Sequence, residues 1–153
     1  MQRVLSYLSF KGRSNRQRFW LTTLAIWGII VVGAVLSMAM ASVAPLVALL
    51  FLPVYLAAVV ASLANAARRL HDRAKSAWWL LLFVGVPLLL TLPAQFIETS
   101  ADPGAQAAGA ALALLSLPFS IWAFVEMGCL KGTTGPNKYG DDPLMPPPEP
   151  AFA

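Results

Sequence analysis

Charge is missing from this chain for twenty residues and more at a time. No Lys, Arg, Asp or Glu occurs between Phe19 and Ala67, and none between Ala77 and Ile97. A water-soluble domain of 153 residues still needs polar residues to cover its core, and a chain with 58% hydrophobic and 12% charged residues departs from that class. Cysteine is nearly absent as well. The single Cys129 excludes an intrachain disulfide and any CxxC metal or redox site, and reads as a small buried apolar residue. With His71 the only histidine, a metal site would need carboxylates from elsewhere in the chain. There is no internal repeat, no GxxxxGK[ST] phosphate loop and no cofactor motif. No charge falls near the centre of any apolar run, which argues against an ion-conducting path.

What is present is four apolar runs. At 1.5 Å per residue, about 20 residues cross the hydrocarbon of a bilayer. The runs read as spans at 19–41, 45–67, 77–97 and 107–130 of one four-helix membrane domain covering 1–143, with a disordered Pro-rich tail at 144–153. The first is too long for a secretory signal peptide, and further spans follow it. Before it, Arg3, Lys11, Arg13, Arg16 and Arg18 alternate with apolar residues, a pattern suited to a segment lying on the membrane surface. Ser14 and Gln17 stand at capping-box spacing, which predicts a helix starting at Ser14 and carrying Phe19 and Trp20 to the interface. Pro45 suits a helix first turn, whereas Pro53 should kink the second helix. Ser76 can cap the third, which contains Pro87 and Pro93, and an acidic turn from Glu98 to Gly104 leads to the fourth, interrupted by Pro118. Small residues near Gly109 and Ala113 should face other helices. Gly132 can end the fourth helix.

The expected fold is therefore an all-α polytopic integral membrane protein with four transmembrane helices. With four spans, all eleven Lys and Arg fall on one side and the opposite loops hold none, so both termini are expected in the cytoplasm. The clustered cations behind the formal charge of +4 point to anionic lipid before nucleic acid.

The segment RRLHDRAKSAWW, Arg68 to Trp79, joins spans two and three. It puts four cations, one carboxylate and the histidine into eight residues. Arg68 and Asp72 stand at i,i+4 and can pair. Arg13, Arg16, Arg18, Arg68, Arg69, Arg73 and Lys75 should rim one cytoplasmic surface. Such a rim sets topology and contacts lipid phosphate; a shaped headgroup pocket built from Arg13, Arg16, Arg68, Arg69, His71, Asp72 and Lys75 is the sharper form of the same idea. His71 beside Asp72 invites acid–base chemistry, although neighbours on a helix diverge too far to bond each other. Glu126 is the one acid inside an apolar run and Asn65 the first strongly polar side chain near the end of span two; both are candidate intramembrane functional residues, with an ion pair to Lys131, Arg16 or Arg69 the plainer role for Glu126.

Three segments carry a family resemblance: FKGRSNRQRFW (10–20), RRLHDRAKSAWW (68–79) and GTTGPNKYGDDP (132–143). In order and spacing they resemble the DUF805 family of small bacterial inner-membrane proteins of unknown function. The resemblance implies the inner membrane as location and a multi-pass fold; it implies no activity. Where the family tends to place glycines in the turn after the HD pair, this chain has Ala74 and Ala77, which points to a more helical turn. The expected function is a non-enzymatic membrane protein whose basic rim binds anionic lipid, a partner protein or a second copy of itself, without cofactor and without nucleic acid. A small transporter or channel subunit using Glu126 and Asn65, and a lipid-phosphate enzyme using His71, are the alternatives.

Overall fold

The computed structural model describes residues 7–41, 46 and 49–145. Arg3, Pro45 and most of the proline-rich tail lie outside the described residues. Helix α1 spans Arg16–Ala41, a 3-10 turn at Leu49–Phe51 leads into α2, Leu52–Asp72, and α3 and α4 span Val86–Glu98 and Pro103–Phe124. A π-helical stretch precedes α3 at Leu81–Gly85 and another follows α4 at Val125–Cys129. Among the described residues three helices are long and apolar enough to cross a membrane, and Leu81–Ile97 is a shorter apolar helix. Their large side chains lie outward: Leu24, Met38, Leu89 and Phe96 are each more than 60% exposed. In water such a surface would aggregate, whereas lipid tails satisfy it.

The chain divides into two compact units, residues 1–75 with 131–153, and residues 76–130. In the first, α1 and α2 form a hairpin. Ile26 packs on Ala58 and Ala61 with Leu8 and Ile30 around them, small residues on α2 letting the backbones approach. The Ser37 and Tyr55 hydroxyls meet at 3.1 Å. Asn65, 2% exposed, donates its amide to the Phe19 carbonyl and to Thr23 Oγ1, both at 3.1 Å. Pro53 lies in the first turn of α2 and produces no kink there, because its missing N–H falls where the helix has no acceptor for it. α2 also runs on through Arg68–Asp72, so the polar residues expected in a loop form its last turn.

In the second unit α3 and α4 pack together. Phe83, Trp79 and Trp122 form a three-ring cluster with centroids 5.4–5.8 Å apart, two of the contacts edge-to-face. Gly109 on α4 is buried and Ala113 half-buried. The Val86 N–H reaches back five residues to the Leu81 carbonyl, so the backbone has already widened to π spacing where Pro87 enters the first turn of α3. The Asp102 carboxylate accepts the Gly104 and Ala105 N–H groups and caps α4.

Candidate functional site

The three segments singled out in the sequence meet around one carboxylate, at the end of the first unit where α1 begins and α2 ends. Asp72, 2% exposed, accepts Arg13 Nε at 3.1 Å on one oxygen and Arg69 Nη1 at 2.5 Å on the other. All three side chains are excluded from solvent. Two buried guanidinium groups sharing one carboxylate retain a net positive charge, and their remaining N–H groups need acceptors. Arg13 finds them in the carbonyls of Thr133, at 2.5 Å, Gly135, at 2.6 Å, and Gly140, at 3.3 Å. Arg69 also donates to the Ser14 carbonyl.

The expected pair of Arg68 with Asp72 does not form. Arg68 instead donates to the carbonyls of Ala64 and Tyr7, and Asp72 takes the arginine one residue later together with one 59 positions away. Ser14 does not cap α1 either: its hydroxyl is buried without a hydrogen-bond partner, and Asn15 Oδ1 accepts the Arg18 N–H at 2.8 Å. The Ser14 N–H instead donates to the Arg68 carbonyl at 3.1 Å, which ties the helix entry to α2.

The end of α2 closes by a Schellman motif. The Lys75 N–H reaches the Leu70 carbonyl at 2.9 Å and the Ala74 N–H the His71 carbonyl at 3.0 Å, which requires a left-handed residue at position 74. Ala74 supplies it with φ of 56°, so the turn expected to be more helical is the one a glycine would make. Tertiary bonds override the side-chain preference: Thr133 donates both its N–H (2.8 Å) and its hydroxyl (3.1 Å) to the Asp72 carbonyl, and Asn137 donates to that of His71 at 3.0 Å. The segment after Leu130 thus supplies donors to carbonyls that a helix end leaves open.

That segment is shaped by glycines. Gly132 does not end α4, which is succeeded by the π stretch ending at Cys129; it lets the chain pass the Asp72 carboxylate, whose Cγ would lie 2.6 Å from a Cβ at this position. Asn137 and Gly140 bond each other in both directions at 3.0 Å, with φ at Gly140 of 130°. The turn aims Tyr139 at His71, ring on ring, 3.9 Å between centroids and 8° from parallel, and Lys138 Nζ sits 5.0 Å from the tyrosine centroid. His71 Nδ1 is 3.2 Å from the Gly12 carbonyl, so Nδ1 carries a proton and donates it there. Farther on, the half-buried Asp142 carboxylate accepts the Leu144 and Gly135 N–H groups at 3.0 and 2.9 Å, which hold its pKa below the usual carboxylate range.

The remaining candidates lie around or away from this cluster. Arg16 is exposed as the first residue of α1, and Lys75 is half-buried beyond α2. Asn65 belongs to the first unit, while Glu126, 5% exposed, lies in the π stretch of the second. Thr133, Asn137 and Tyr139 were not among the residues singled out for binding. The turn GPNKYG was their one trace in sequence, and a turn pattern does not say what the turn packs against.

A sequence model of the family described as "Protein of unknown function (DUF805)" matches residues 7–141. Inner membrane protein YhaI of Escherichia coli (strain K12) is 30% identical over 141 residues, 90% of this chain and 88% of its own length, and YhaI of Escherichia coli O157:H7 is similar to the same extent. No solved structure matches the chain.

Proposed function

Because the chain belongs to the DUF805 family and is a multi-pass protein of the bacterial inner membrane, we propose that it is a non-enzymatic protein whose basic end holds anionic phospholipid headgroups at the cytoplasmic face. The observation that carries this reading is a charge imbalance with a rigid base. Ten described Lys and Arg gather at one end of the α1–α2 hairpin and its capping segment, against three carboxylates, Asp72, Asp141 and Asp142. Asp72 is occupied by Arg13 and Arg69, so these two arginines serve as the foundation and take no headgroup. Lys11, Arg16, Arg18, Lys131 and Lys138 are exposed around it. A surface of this sign attracts anionic lipid by about 1 kcal/mol per cation near the membrane. The positive-inside rule orients the same end, and with it both termini, toward the cytoplasm.

The test is the phospholipid retained by the full-length protein on mild-detergent purification, compared with the lipid of the source membrane. Enrichment in anionic classes is expected, and replacement of Lys11, Lys131 and Lys138 together by Gln should reduce it severalfold. Retained lipid that mirrors the bulk membrane in both proteins refutes the reading.

A further inference from the structure

We propose that the groove between α1 and α2 is a binding site for one anionic glycerophospholipid, its phosphate at Arg18 and one acyl chain lying between the helices. The groove has a volume of about 820 Å³, within the range of small-molecule sites. Its two ends differ in kind. Asn15, Gln17 and Arg18 line one end, together with Tyr7, and no carboxylate lines it anywhere. The body is apolar. Leu21, Ala25 and Ile29 face it from α1, while Ala57, Ala58 and Ala61 open space on α2 that larger side chains would fill.

Length and charge select the occupant. The rise from Arg18 to Ile29 is about 16 Å at 1.5 Å per residue, close to half of the roughly 30 Å hydrocarbon thickness, so the groove is one leaflet deep. A chain entering from the cationic end therefore stops near the midplane with its headgroup at the interface. Arg18 is exposed and lies close enough to Arg68 for their charges to repel, a repulsion that a phosphate between or beside them relieves. Arg18 has no carboxylate bonded to its guanidinium among the described residues, and its fork matches phosphate oxygens in bidentate fashion. A zwitterionic headgroup would answer this charge only in part, because its own ammonium offsets its phosphate, and an inorganic anion would leave the apolar body empty.

This inference rests on the basic-end reading above and assigns it a defined site. The experiment is native mass spectrometry of the full-length protein titrated with dioleoyl phosphatidylglycerol, with dioleoyl phosphatidylcholine and inorganic phosphate as comparators. One phosphatidylglycerol should remain bound per chain. Arg18→Gln should weaken it about tenfold, the value of one lost charge-assisted contact. Ala57→Phe leaves every cation in place and fills the groove, so it should abolish retention; Ala57→Leu serves where the larger ring prevents folding, judged by the thermal melt.

Several outcomes overturn the site. Parental retention by both Ala57 variants, with loss in the variant lacking Lys11, Lys131 and Lys138, removes the groove and leaves the basic-end reading standing. Retention of phosphatidylcholine equal to that of phosphatidylglycerol removes the selection for an anionic lipid, and phosphatidylglycerol retention indifferent to Arg18→Gln removes the phosphate contact. Displacement of the lipid by millimolar inorganic phosphate removes the chain contact. A dimer that Ala57→Phe converts to monomer, without bound lipid in either form, assigns the groove to a second copy of the chain.

Discussion

The two units are built on the same plan, a pair of apolar helices, and are held together by different chemistry. Every Lys and Arg of the chain belongs to the first unit, residues 1–75 and 131–153, and none to residues 76–130. The first contains a buried carboxylate shared by two arginines, a stacked His71–Tyr139 pair and a segment some 60 residues distant in sequence that caps α2. The second contains the Trp79, Phe83 and Trp122 rings, two π stretches and a local cap from Asp102. In lipid, apolar side chains gain little by leaving the solvent for one another, so helix pairs rely on close packing and hydrogen bonds. The second unit relies on the first of these and adds aromatic geometry. The first unit adds a polar network at the end where water and headgroups begin, and that is the part that distinguishes a basic platform from a plain hairpin.

The largest expected effect tests this contrast directly. Asp72→Ala leaves two buried guanidinium groups without their anion, and breaking a buried pair by removing one partner costs about 3–5 kcal/mol. The variant should melt at markedly lower temperature in detergent, and trypsin should cut faster after Lys131 and Lys138, whose segment is tied to the Asp72 carboxylate through Arg13. Unchanged cleavage at both lysines would mean that the network is an accessory to a hairpin stable without it, and the distinction between the units would lose its energetic basis.

The next effect is smaller and of opposite sign. Ala74 holds a left-handed conformation, φ 56°, that costs an L-residue roughly 1–2 kcal/mol. Ala74→Gly removes that cost and returns part of it through the greater freedom of glycine in the unfolded chain, for a net stabilisation of about 1 kcal/mol. A higher melting temperature in the same detergent would show that the Schellman closure is fixed by the donors of Thr133 and Asn137 and by the carbonyls of Leu70 and His71. A lower one would mean that the helix end relaxes and that position 74 carries no strain.

Ala74 also marks where sequence reasoning stops. The apolar runs and the collection of cations near Arg68–Lys75 were legible because hydrophobic length and charge are properties of composition along the chain. Helix partners were legible in part: small residues such as Gly109 pointed to close packing, and Gly109 is buried. The polar network was not, since Arg13 and Asp72 are 59 residues apart and only the fold decides which of seven neighbouring cations meets the carboxylate. Local rules then chose wrongly in three places for one reason. The i,i+4 rule favoured Arg68, the capping box favoured Ser14, and alanine favoured a helical turn; in each case residues distant in sequence bond at that point, Arg13 on Asp72, the Arg68 carbonyl on the Ser14 N–H, and Thr133 and Asn137 on the carbonyls that end α2. Pro53 is the simpler case, in which α2 begins at Leu52 and the proline sits where helices accept it.

The smallest effect concerns the outer edge of the same network. Asp142 accepts the Leu144 and Gly135 N–H groups, and these bonds favour its charged form. Its folded pKa is therefore lower than the value of about 3.9 in an unfolded chain. A depressed carboxylate contributes stability that is present above the unfolded value and is lost as pH falls through the folded one. The turn from Gly135 to Leu144 should accordingly be indifferent to pH near neutrality and loosen only in acid below the ordinary carboxylate range. The carboxyl carbon shift of Asp142, followed by NMR against pH in detergent, should titrate below the ordinary aspartate value of about 3.9, and the Gly135 amide should move with it. Asp142→Asn, unable to ionise, should remove the acid-linked movement of Gly135. Because Gly135 also offers its carbonyl to Arg13, an ordinary titration of Asp142 would separate the turn from the buried network and confine that network to Arg13, Arg69, Asp72 and the Thr133 contacts.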